Sequence, residues 1–211
     1  MTSTATIREP APSDAAATWG RPTPTQWSVI RSIVRDHTVV DLGAGLALPL
    51  TSRLLADSEA RHVSALDKAF VDIKPPSSPA TVAQAARFKV LPYAFSTFVR
   101  EFPANRFDVG LLSWPENSRL HGLVELLERC EHVALLCKTT DGSSCGFKAL
   151  YEYLLERTLV ASVPDKTNSL IVVGALRSRP RKPTPEEWAG LHWHAAGSFE
   201  QACAAVEETR R

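Results

Sequence analysis

Short apolar runs alternate along this chain with segments whose apolar residues recur every three or four positions. Trp27, Ile30, Ile33 and Val34 share one helical face, with Thr25 after Pro24 as the candidate N-cap, so a helix is expected to about Asp36. The uninterrupted runs at 38–42, 62–67, 87–91, 107–114 and 132–138 read as buried strands. Helical spacing over 48–56, 95–102, 119–129 and 146–157, and a short helix at 81–86, fill the intervals. Pro49 is tolerable in a first turn, and 68–80 is a Pro- and Ser-rich connection. The rhythm then changes: 158–163 and 169–176 flank Pro-Asp-Lys-Thr-Asn, the pattern of an antiparallel hairpin. Five strand–helix units predict an α/β fold, a doubly wound, mostly parallel sheet with helices on both faces, to which the hairpin adds one antiparallel strand.

Residues 1–18, rich in Ala, Thr, Ser and Pro, are expected to be disordered. A single domain is expected over 19–176. An extension over 177–211 begins basic and Pro-rich and ends in a short helix from about Ser198.

Composition narrows the class. A chain of 211 residues, 44% hydrophobic, suits one domain with a real core. Lys+Arg of 24 against Asp+Glu of 23 leaves +1, so global charge makes no case for nucleic acid or an anionic membrane. No apolar run approaches the roughly 20 residues that span a bilayer, and the first residues lack a basic start and apolar run. Cys130, Cys137, Cys145 and Cys203 form no CxxC pair, and His192 and His194 stand without further ligands, so no metal site is expected. The expectation is a soluble cytoplasmic protein with buried free thiols.

The candidate chemistry begins at Val-Val-Asp-Leu-Gly-Ala-Gly-Leu-Ala-Leu-Pro-Leu, residues 39–50. A strand runs into a glycine turn and then a helix, at the end of a parallel sheet where ligands bind. Gly43 and Gly45 lack a β-carbon and allow close approach to the backbone. A dinucleotide fold wants a glycine or another small residue where this chain has Leu48, which fits poorly. The shorter spacing Asp41-x-Gly43-x-Gly45-x-Ala47 resembles motif I of the class I S-adenosylmethionine-dependent methyltransferases, with Ala47 in place of the last glycine. Asp67, ending the next strand, stands where a carboxylate accepts from both ribose hydroxyls.

The resemblance covers about 26–176 and implies a seven-stranded sheet, S-adenosylmethionine as cofactor and methyl transfer as activity. It further implies that Asp41 orients the methionyl amine and that Gly43, Ala44, Gly45 and Leu46 pass beneath the ribose and methionyl part. Asp67, with Lys68 beside it, would hold the ribose. The acid that often meets adenine after the third strand is missing from Val-Leu-Pro-Tyr-Ala-Phe-Ser, which leaves Tyr93 or Ala94 to contact the base.

Methyl transfer needs the nucleophile close and aligned and, where required, a proton removed. In this fold the methyl points to the end of the fourth strand, here Ser113-Trp114-Pro115-Glu116-Asn117. Ser113 and Pro115 fit the Asp/Asn/Ser-Pro-Pro-Tyr/Phe pattern of amino-methylating nucleic-acid enzymes; Trp114 and Glu116 depart from it. Ser113, Trp114 and Glu116 are the catalytic candidates, with Trp114 also able to pack on a flat substrate or a sulfonium. Gly20-Arg21-Pro22-Thr23-Pro24 is similar to a segment preceding motif I in several DNA and RNA methyltransferases. The resemblance implies that Trp19 or Trp27 helps close the pocket; Trp19, Arg21, Trp114 and, from the end of the fourth strand, Asn117 are the substrate-side candidates. The acceptor, whether small molecule, protein or nucleic acid, is left open. So are a non-catalytic protein of the same fold and, with less support, a nicotinamide-dependent oxidoreductase.

Overall fold

A computed structural model describes residues 21–72, 82–113, 121–138, 148–165 and 168–179. The chain runs α1 (Pro24–Val34), β1 (Thr38–Leu42), α2 (Pro49–Asp57), β2 (His62–Leu66), α3 (Val82–Ala86), β3 (Phe88–Leu91), α4 (Phe95–Glu101), β4 (Phe107–Ser113), α5 (Leu123–Leu127), β5 (Cys130–Lys138), α6 (Lys148–Leu155), β6 (Arg157–Val163) and β7 (Asn168–Leu176).

The strands form one seven-stranded sheet ordered β3-β2-β1-β4-β5-β7-β6. β1 pairs in parallel with both β2 and β4, and β5 continues the parallel run. β7 enters antiparallel between β5 and β6, as the hairpin pattern predicts. The order reverses between β1 and β4, because the chain builds outward through β3 and then returns to the other side of β1. That reversal opens a crevice at the carboxyl ends of these strands.

Alternation along each strand sends side chains to two cores. Val40, Leu42, Leu66, Leu112, Leu135 and Ile171 pack with α4, α5 and α6 through Phe98, Leu126 and Leu154. Val39, Val63, Val109, Leu111 and Val172 face the other way, onto Trp27, Ile30 and Val34 of α1 and Leu50 and Leu54 of α2. Burial on both faces explains why the strand sequences read as continuous apolar runs.

Several boundaries differ from the sequence expectation. The N-cap of α1 is Thr23, not Thr25. Its hydroxyl accepts from Gln26 N at 3.3 Å while Gln26 Oε1 accepts from Thr23 N at 3.0 Å, a reciprocal box that puts Pro24 where its missing N–H costs nothing. Gln26 is buried and donates to Val163 O at 3.0 Å, tying α1 to the end of β6. The helix stops at Val34, short of Asp36, which takes φ 59°. Of the helix expected over 119–129, the described residues form α5 over Leu123–Leu127, with Gly122 ahead of it at φ 83°; residues 119 and 120 lie outside the described residues. β5 starts at Cys130, earlier than His132, and pairs there with Phe107. Cys130 and Cys137 are buried. Among the described residues, no helix is long and apolar enough to cross a membrane. The helix expected from Ser198 and the His192–His194 pair lie outside the described residues.

Candidate functional site

The turn after β1 is built by backbone hydrogen bonds to the end of β2. Gly43 and Gly45 take φ 70° and 67°, a region open to glycine at no steric cost. Gly43 N and Ala44 N donate to Leu66 O at 2.8 and 3.4 Å. Gly45 N donates to Asp67 Oδ2 at 2.9 Å, and Ala69 N to Asp67 Oδ1 at 2.8 Å. Asp67 thereby caps a single 3₁₀ turn, Lys68–Val71. The two backbone donors fix the carboxylate in place and leave each oxygen with acceptor capacity to spare.

Asp41, one strand over, has a different setting. It is 1% exposed and accepts the Thr51 hydroxyl at 2.6 Å from the first turn of α2. Burial pushes its carboxyl up to about 6; the hydroxyl and backbone N–H of Thr51 oppose the rise, and the charge of Asp67 adds to it. Leu48 precedes α2 at φ 49° and offers no side-chain cap. Its side chain packs with Ala44, Ala65 and Phe70, so the turn is anchored from beneath by apolar contact.

Beside the turn lies a cavity of about 320 Å³ lined by Gly43, Asp67, Lys68, Tyr93, Ala94, Phe95, Ser96 and His121. Its size falls near the lower end of the range for small-molecule sites, roughly 300–1,000 Å³. The strand ends of β1, β2 and β3 supply three of its sides. The Tyr93 ring is held by an edge contact with Phe102 at 5.2 Å and a tilted one with Phe98 at 6.0 Å. A β-carbon on Gly43 would sit 3.9 Å from Phe95 Cζ, whereas one on Gly45 would meet no atom within 4 Å. The space beside Gly45 is therefore open.

Five sequence-predicted residues, Gly43, Asp67, Lys68, Tyr93 and Ala94, come together in this cavity. Gly45 joins them through its bond to Asp67. Ala44 is buried behind the turn, Leu46 is 40% exposed on it, and Asp41 lies in the interior rather than in the wall. Ser113 is half-buried at the last position of β4, in register with Leu136. Arg21 is exposed ahead of α1. Trp19, Trp114, Glu116 and Asn117 lie outside the described residues.

Sequence reasoning missed Phe95, Ser96 and His121. The first two follow Ala94 directly, as the opening residues of α4, and were accessible as a continuation of the same stretch. His121 carries no sequence signal, since it reaches the cavity only through the packing of α5 on α4. Among the described residues, no group of three or more His, Cys, Asp or Glu is arranged to hold a metal ion.

By sequence, the chain matches no described protein family and no curated protein. By structure, it is similar to Burkholderia thailandensis 1,6-didemethyltoxoflavin-N1-methyltransferase, solved with 1,6-didemethyltoxoflavin and S-adenosylhomocysteine bound. The TM-score is 0.56 at 18% identity, over 78% of this chain and 82% of that one. It is also similar to the methyltransferase domain of bacterial CtHen1-CN, with TM-score 0.50 at 14% identity, over 72% of this chain and 96% of that one. The likeness is one of architecture: the chain has the Rossmann-like fold of the class I S-adenosylmethionine-dependent methyltransferases.

Proposed function

We propose that this protein binds S-adenosylmethionine at the carboxyl ends of β1, β2 and β3 and transfers its methyl group to an acceptor. The observation that carries the reading is Asp67. Its carboxylate is oriented by two backbone N–H groups at the wall of a nucleoside-sized cavity, with lone pairs left for a pair of vicinal hydroxyls. The open space beside Gly45 suits the approach of a ligand to the bare backbone.

The residues fit the cofactor. Asp67 would hold the ribose, Gly43 and Gly45 would lie beneath it, and Tyr93, Ala94 and Phe95 would flank the base. Bound S-adenosylmethionine supplies a methyl on a sulfonium, an already activated leaving group. The chain's part is to hold the donor and an acceptor in line and to keep water out. Ser113, at the end of β4 on the same rim of the sheet, is the described residue best placed to border the acceptor side.

The same geometry weighs against a dinucleotide. A pyrophosphate needs free N–H groups at the start of the helix after the glycine turn. Here Gly45 N serves Asp67, and the buried Asp41 carboxylate already takes the hydroxyl and backbone N–H of Thr51 in that first turn. A phosphate beside Asp41 would meet like charge.

Thermal-shift titration with S-adenosylhomocysteine and with NAD tests the reading. Stabilisation by the first and none by the second is expected; the reverse order overturns it. Transfer of label from the methyl-labelled donor across small-molecule, protein and nucleic-acid acceptors then identifies the substrate. Tight binding with no transfer to any acceptor points instead to a non-catalytic member of the fold.

A further inference from the structure

The cavity has one wall whose origin differs from the others. Gly43, Asp67, Lys68 and the run from Tyr93 to Ser96 follow the ends of β1, β2 and β3, whereas His121 comes after β4 in the chain, just ahead of α5. What brings it there is Gly122. This residue sits at φ 83°, and a β-carbon on it would lie 2.6 Å from both Cα and N of Ser96. Atoms do not approach that closely, so the 121–122 turn rests on the start of α4 only because position 122 has no side chain. Leu123, Leu126 and Leu127, all fully buried, then lock α5 behind it. The contact holds His121 in the lining of the cavity, beside the start of α4.

The polar inventory of the cavity gives that placement a chemical meaning. Among the described residues that line it, Asp67 is the only carboxylate, and in the reading proposed above it is committed to the sugar. The stretch from Tyr93 into the start of α4 at Ser96 offers no acid to receive the exocyclic amine of a purine. Lys68 can only donate. A neutral imidazole presents one of its two nitrogens as an acceptor, and that nitrogen can take a hydrogen bond from the exocyclic amine of an aminopurine.

We infer that His121 is the residue that reads the base of the bound nucleoside, accepting from its amino group, and that Gly122 is the positioning residue that sets His121 against the cavity. This inference rests on the nucleoside reading of the cavity and adds to it the source of base specificity.

Calorimetric titration with S-adenosylhomocysteine and with S-inosylhomocysteine, which carries an oxo group in place of the amine, tests it. The unmodified protein should prefer the amino compound by about tenfold, the value of one hydrogen bond. His121→Ala should erase the preference, and His121→Gln, which restores an acceptor, should recover part of it. His121 is exposed, so neither change threatens the fold. Gly122→Ala should also erase the preference, and its ratio of affinities separates lost positioning from a merely lower melting temperature. If His121→Ala keeps the full preference, the inference is overturned while the cofactor reading stands. If the unmodified protein binds neither compound, both fall together.

Discussion

The two ends of the parallel sheet treat an aspartate in opposite ways. At the amino ends, Asp108 of β4 is enclosed by the protein's own donors. Its Oδ2 accepts from Thr38 N at 2.6 Å, Thr38 Oγ1 at 3.0 Å and Arg61 Nη2 at 3.1 Å, with His37 Nδ1 at 3.7 Å. Burial raises its carboxyl, but the Thr38 bonds and the neighbouring His37 and Arg61 outweigh that and hold it below the ordinary carboxylate value. At the carboxyl ends, Asp67 takes two backbone bonds and borders a cavity. Asp108 spends its charge joining β1, β4 and the approach to β2. Asp67 is fixed just as firmly but keeps acceptor capacity towards open space. Candidate function is legible in that difference, not in the residue type.

Truncating each aspartate in turn tests the contrast most severely. Asp67→Ala should weaken S-adenosylhomocysteine binding on the order of 100-fold, the loss of two hydrogen bonds to a charged acceptor. Asp108→Ala should leave the dissociation constant within about twofold. Calorimetry on both variants reads the outcome, and equal losses would erase the distinction between the two ends.

Asp41 sharpens the comparison from the interior. Its native carboxyl titrates at about 6 against an ordinary 3.8, so the folded protein holds a proton that the unfolded chain releases. The stability from this proton is fully present below 3.8 and is lost as pH rises through about 6, a change of about 3 kcal/mol. Denaturant melts from pH 4 to pH 7 should show that fall in the unmodified protein, and Asp41→Asn should flatten it. Asp108→Ala should cost about 1–2 kcal/mol in the same melts. The contribution of Asp108 is present above the ordinary carboxylate value and is lost as pH falls through its depressed native one. The smallest effect is expected at Gly45. Alanine there meets no atom, so only the left-handed backbone is penalised, by about 1 kcal/mol, and asparagine should recover part of the loss.

The sheet and its hairpin were readable because strands buried on both faces leave continuous apolar runs, and because Pro-Asp-Lys-Thr-Asn marks the reversal between β6 and β7. Asp67 and the glycine turn were readable because both ends of their contact follow consecutive strands. Asp41 illustrates the limit. Its place in motif I shows where it stands in the chain, but whether it faces a ligand or Thr51 depends on how α2 starts, and Leu48 in the left-handed region decides that start. The N-cap of α1 fell to Thr23 because a side-chain reciprocity with Gln26 outranks the simpler cue of a threonine after a proline. His121 lay beyond reach. Nothing in its local sequence records that Gly122 lets its turn settle on Ser96.

The most direct test of the central claim is the structure of the complex with S-adenosylhomocysteine. The nucleoside is expected in the cavity between Gly43 and the Tyr93–Ser96 stretch at the start of α4, with both ribose hydroxyls within hydrogen-bonding distance of the Asp67 carboxylate. A sugar held by other residues, or a cavity that stays closed to the compound at saturating concentration, would contradict it.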